Sequence, residues 1–120
     1  MALRAIRGAT QLQADDAEEM KEAVVELLNL IMERNALSSD DLVSAIFTST
    51  PDLVSAFPAA AARGIGLEDV PLICARELDV AGALPRVVRV MIHADLAVPR
   101  AQVNHVYTRG AETLRLDLAQ

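Results

Sequence analysis

A chain of 120 residues with one cysteine and a formal net charge of -6 is sized for one domain around one core. The acidic balance argues against nucleic acid and anionic membrane as partners, and a lone thiol excludes an intrachain disulfide framework or a multi-cysteine metal site. Apolar residues make up 52% of the chain and aromatics only 2%, so the core must be aliphatic and part of the surface is expected to be covered by self-association.

The spacing predicts a first strand over Leu3 to Thr10, with Leu3, Ala5 and Arg7 on one face. Arg4 and Arg7 flank only short apolar stretches, so no signal peptide or membrane span is predicted and a cytoplasmic, soluble protein is expected. Asp15, with Glu18 three residues on, predicts a helix start. Met20, Val24, Leu27, Leu28 and Ile31 form its apolar stripe, Glu19, Lys21, Glu22, Glu26 and Glu33 its solvated face, and Asn35 a left-handed stop. Leu42 to Ser49 predicts a second strand, broken by Thr50-Pro51-Asp52. Leu53 to Arg63 reads as a loop with helical pieces, stopped by Gly64 and Gly66.

Val70 to Cys74 predicts a third strand that ends by presenting a thiol and then a carboxylate, Glu77. Asp79 to Leu84 is expected to form one or two helical turns before Pro85. Arg86 to Ala94 is the most strand-like segment. Val88, Val90, Ile92 and Ala94 make one wholly apolar face to meet the helix, and Val87, Arg89, Met91 and His93 make the other. A fifth strand is expected over Val103 to Tyr107, and Leu114 to Leu118 alternates in the tail. Five short strands with one long helix give an α+β chain in a single domain, residues 1–120, with one sheet face left uncovered in a monomer.

The chemistry centres on Arg89. A guanidinium inside an apolar strand is costly to bury unless an anion meets it, and three are open: Glu77, a neighbouring chain, or a ligand. No Ser/His/Asp or Cys/His motif, phosphate loop or zinc spacing is present. Taken singly, Cys74 reads as a small buried hydrophobe, Tyr107 as a strand residue, and His93 and His105 as ordinary interface or surface histidines. Lys21 is the sole lysine among 11 basic residues, and arginine's planar fork suits small carboxylate ligands.

Taken together, the residues resemble a family. Arg4-Ala5-Ile6-Arg7-Gly8-Ala9-Thr10, Ser49-Thr50-Pro51-Asp52-Leu53, Ala56-Phe57-Pro58-Ala59, Val70-Pro71, Cys74, Glu77-Leu78-Asp79-Val80, Arg89-Val90-Met91, His105-Val106-Tyr107 and Leu114-Arg115-Leu116-Asp117-Leu118 occur in order. This set resembles the monofunctional chorismate mutases of the AroH class, the trimeric type best known from Bacillus. The resemblance implies a five-stranded mixed sheet with one long and one short helix on one face, assembled as a trimeric pseudo-α/β barrel. It also implies the Claisen rearrangement of chorismate to prephenate in aromatic amino-acid biosynthesis, with no cofactor, no metal and no covalent intermediate.

By the same resemblance, Arg89 would donate to the ether oxygen and a carboxylate, while Arg7 and Tyr107 would hold the enolpyruvyl carboxylate. Glu77 would accept from the ring hydroxyl with Cys74 beside it. On this view substrate is the anion that meets Arg89, with Glu77 a nearby acceptor and not a dedicated partner. Phe57, Ala59 and Arg63 would come from the adjacent subunit. Leu72, Ile73 and Leu114 would form apolar walls, and Arg115 would help attract the substrate. Two positions depart from the pattern: Ala60 stands where the family often has lysine, and Ile73 where threonine is common. The competing expectations are a trimeric imine deaminase of the Rid type, whose own motif around the arginine is missing, and a binding module without turnover.

Overall fold

The computed structural model describes residues 2–114. Five strands, β1 (Leu3–Gln11), β2 (Leu42–Ser49), β3 (Leu72–Arg76), β4 (Val87–Asp95) and β5 (Val106–Thr108), form one mixed sheet in the order β3-β2-β4-β1-β5. β4 runs antiparallel to both β1 and β2, while β3 joins β2 and β5 joins β1 in parallel. Two helices, α1 (Ala17–Arg34) and α2 (Pro58–Gly64), share the core beneath one face of this sheet. No helix among the described residues is long and apolar enough to cross a membrane.

The α1 stripe is Met20, Ala23, Val24, Leu27, Leu28 and Ile31, all buried. Each large member contributes about 1.5–3 kcal/mol by leaving water. It lies on Ile6, Val88, Val90, Ile92 and Ala94, so β4 divides its faces as its alternation predicts. Gly8 lets the helix close in beside Arg7: a Cβ there would sit 2.8 Å from Ile31 Cδ1 and 3.2 Å from the Val106 carbonyl.

Several boundaries differ from those expected, each for a local reason. The N-cap of α1 is Asp16, whose carboxylate accepts from the Glu19 N–H at 2.9 Å, while Asp15 turns away to another loop. Asn35 has φ -110 and is not left-handed; Ala36, at φ 52, takes that conformation. Buried Asn35 instead uses its amide to bind the Ile31 carbonyl and both backbone groups of Asn104. That pairing, and the bond from the Arg7 N–H to His105 Nδ1, hold 103–105 off the ladder, so β5 starts at Val106. β3 starts after Pro71, which has no N–H to give a ladder, and runs on to Arg76. Asp79 to Leu84 forms turns with Gly82 at φ +84 and no helix.

The strand breaker after β2 has a second role. Thr50 exchanges bonds with Val87 through its N–H and its hydroxyl, both at 3.0 Å. Asp52 accepts from the Arg86 N–H, and Arg86 sits at φ 54. These contacts set where β4 begins, two residues before Arg89.

Candidate active site

The sheet face away from the helices carries the polar chemistry in rows. Register places Thr48 and Ala9 on either side of Arg89, with Tyr107 beyond Ala9. The next row is Ile73, Ile46, Met91 and Arg7. A cavity of about 240 Å³ opens over these rows, lined among others by Arg7, Thr48, Arg89, Met91 and Tyr107. The small side chain of Ala9 leaves room between Arg89 and Tyr107.

Glu77 closes one side. Its Oε2 lies 3.1 Å from Arg89 Nε and accepts the Thr48 hydroxyl at 2.6 Å. The intrachain contact with Arg89 is an ion pair of charges and not a hydrogen bond, because the Nε–H does not align on the carboxylate. The buried Nε is left with no hydrogen-bond partner among the described residues, and so is the buried Tyr107 hydroxyl. Unpartnered buried donors are rare in folded proteins and mark strain, chemistry or a ligand position. Two at one cavity, beside two guanidinium groups, are chemically suited to an oxyanion-bearing molecule.

The remaining residues of interest fall elsewhere. Phe57 and Cys74 line a second cavity of about 380 Å³ with Val54, Ser55 and Arg76. Phe57 and Val54 are each 73% exposed there. Ala59 is buried in α2, and Arg63 is exposed in its last turn. Leu72 packs on the main core, Ile73 stands exposed on the open face, and Leu114 packs with Ala9, Val87, Tyr107 and Ala111 in a small cluster behind the first cavity. Arg115 lies outside the described residues. One chain thus gathers Arg7, Glu77, Arg89 and Tyr107 and leaves Phe57 with Cys74 apart. Among the described residues no three His, Cys, Asp or Glu side chains group as metal ligands.

Two contributors were not legible as site residues. Thr48 reads as one more β-branched strand residue, and His105 as a surface histidine. Yet His105 Nδ1 accepts from the Arg7 N–H at 2.9 Å and so fixes the backbone that carries Arg7. The only available signal was period two: Thr48 and Arg89 both lie on the polar faces of adjacent strands.

Asp15 secures the segment that presents Phe57. Its carboxylate accepts from the Val54 and Ser55 N–H groups at 3.1 and 3.0 Å. Desolvation pushes this carboxyl up, but hydrogen bonds from Ser55 and the Val54 backbone outweigh it and hold it below its ordinary 3.8. The ionised form grips the loop, so its contribution is present above pH 3.8 and is lost as pH falls through the lowered value. Asp15→Ala is expected to raise KM about threefold to tenfold with kcat nearly kept, the scale of one ordinary hydrogen bond lost at an exposed loop. An unchanged KM in steady-state kinetics would mean that the loop holds itself.

Comparison with known proteins gives the same assignment over nearly the whole chain. The chorismate mutase type I model matches residues 3–118. A chorismate mutase AroH from Thermus thermophilus is 48% identical over 117 residues, covering 97% of this chain and 96% of that protein. The Bacillus subtilis chorismate mutase AroH is 40% identical over 120 residues, covering 99% and 94%. A solved chorismate mutase from Clostridium thermocellum superposes with a TM-score of 0.89 at 42% identity, covering 91% of this chain and 97% of that one. With its sheet, its helices and nearly its full length matched, the chain belongs to the chorismate mutase type I family.

Proposed function

We propose that this chorismate mutase rearranges chorismate to prephenate in the cavity between Arg7, Arg89 and Tyr107, in the cytoplasm and within aromatic amino-acid biosynthesis. In a Claisen rearrangement the ether C–O bond breaks as a C–C bond forms within one molecule. No proton moves and no covalent adduct forms, so the protein must hold a folded substrate and stabilise charge growing on the ether oxygen. The observation that carries this reading is the pair of buried, unpartnered donors, Arg89 Nε–H and the Tyr107 hydroxyl.

Arg89 then donates to the ether oxygen and a carboxylate. Arg7 and Tyr107 bind the enolpyruvyl carboxylate, and Glu77 accepts from the ring hydroxyl, while Cys74 lies in the second cavity, apart from them within one chain. A fixed donor aimed at developing charge costs no reorganisation during the reaction. The exposed apolar side chains of the open face, Leu3, Ile46, Ile73 and Met91, favour a homotrimer whose interfaces hold the sites. In it, exposed Phe57, just before α2, and Arg63 in its last turn reach the cavity from a neighbour, with Ala59 behind them in that helix. Ile73 and Leu114 serve as apolar walls, with Leu72 backing them from the core and Arg115 drawing in the dianion.

The test is loss of chorismate's ultraviolet absorbance with the full chain, run beside Tyr107→Phe. The parent is expected to turn over chorismate saturably. The variant should lose about tenfold in kcat/KM, the scale of one hydrogen bond to a charged group. A folded parent that binds chorismate without turnover would replace the mutase with a binding module, and equal kcat/KM in the two would remove Tyr107 from the site.

A further inference from the structure

Arg89 and Glu77 are opposite charges 3.1 Å apart, yet the Arg89 Nε–H is not spent on the carboxylate. Left to themselves, the two would align, because a charge-assisted hydrogen bond is roughly twice as strong as a neutral one. Something holds the carboxylate off that line. Glu77 has two tethers, and both come from β2. Its N–H donates to the Ser49 carbonyl at 3.0 Å, and its Oε2 accepts from the Thr48 hydroxyl at 2.6 Å. An ionised carboxylate only accepts, so the hydroxyl must be the donor. Thr48 is also the β2 register partner of Arg89, so the hydroxyl stands beside the guanidinium on the same face.

We propose that Thr48 is a positioning residue, whose hydroxyl pins the Glu77 carboxylate beside Arg89 but off the Nε–H axis, keeping that donor free for the substrate. The inference rests on the reading of Arg89 as the ether-directed cation. Glu77 still supplies negative charge that orients the guanidinium, while the donor that matters in the transition state stays unpaired. Without the hydroxyl, the carboxylate rotates onto Nε–H and closes the pair. Substrate must then compete with Glu77 for its own donor. Because ground-state carboxylate contacts from Arg7 and Tyr107 persist, the loss falls on kcat more than on KM.

The experiment uses the full chain and five variants: Thr48→Val, Thr48→Ala, Thr48→Ser, Glu77→Gln and the Thr48→Val/Glu77→Gln double variant. Both hydroxyl-less variants should lose about tenfold in kcat with KM changed much less, and Thr48→Ser should recover to within about threefold of the parent. In the Glu77→Gln background, Thr48→Val should have little further effect, because the two act as one unit. Parent-like kcat in folded Thr48→Val or Thr48→Ala overturns the proposal. So does failure of serine to restore activity, or a Thr48→Val loss that multiplies fully onto that of Glu77→Gln, since both point to a strand-packing role. Arg89→Ala is measured alongside. A near-background rate there keeps the site reading intact whatever Thr48 does, whereas parent-like turnover removes the site reading and this inference with it.

Discussion

Arg89→Lys is expected to lower kcat by on the order of a hundredfold or more, with a far smaller change in KM, the scale seen for loss of a preorganised transition-state donor. Lysine keeps the charge but gives up the planar fork, and with it the unpartnered Nε–H held beside Glu77. The position makes this loss hard to repair. β4 is central, bonded along its length to β1 and β2, so the backbone under Arg89 cannot shift to bring a shorter cation forward. Ala9 and Thr48 flank it in register, and Glu77 lies at 3.1 Å on one side only. A flexible ammonium would settle on Glu77 and pair with it. Steady-state kinetics with chorismate, alongside a denaturation curve to check folding, decide the matter. A kcat within about threefold of the parent would remove Arg89 from transition-state stabilisation, since a donor worth a hundredfold cannot be lost so lightly.

Phe47→Ala carries the largest expected effect on stability. Of the two phenylalanines, Phe57 stands 73% exposed, while Phe47 has no exposure and is among the largest fully buried side chains. It pairs in register with Val90 on β4 and Cys74 on β3, in the cluster that takes the α1 stripe. In so aliphatic an interior, small neighbours cannot swing in to refill a ring-sized space. The expected cost is about 3–5 kcal/mol, against a total of about 5–15 kcal/mol for an ordinary domain. Denaturant midpoints for parent and variant should be compared at one protein concentration, because assembly also shifts apparent stability. A loss below about 1 kcal/mol would mean that the site collapses around the deletion. Activity follows the same residue, since Thr48 is its chain neighbour and faces the opposite way, toward Arg89.

The α1 stripe, the two faces of β4 and the break at Thr50-Pro51-Asp52 were legible in the sequence because they are local. Helical and strand periods act over a few residues, and a proline or an aspartate at a turn works on its neighbours. Arg89 was legible as a problem for the same reason: an arginine alternating with apolar residues demands an anion wherever its strand sits. The ordered motifs then carried the family. What failed locally failed where a distant partner intervened. Asn35 looked like a helix stop until Asn104 claimed its amide, and the fifth strand lost its first residues to that contact and to the Arg7–His105 bond. Asp15 resembled a cap, and the loop at Val54 and Ser55 claimed it.

By itself, then, the sequence determined the long helix and the five strands to within a few residues, which face of each is apolar, and that a buried cation needs an anion. Only the tertiary structure decided the strand order β3-β2-β4-β1-β5, which sets Thr48 against Arg89, brings Arg7 and Tyr107 around one cavity with Glu77 against Arg89, and leaves Phe57 and Cys74 in another. The reason is physical: backbone ladders pair any strand with any other, so neighbours and register follow from the packing of whole faces, which no local stretch contains.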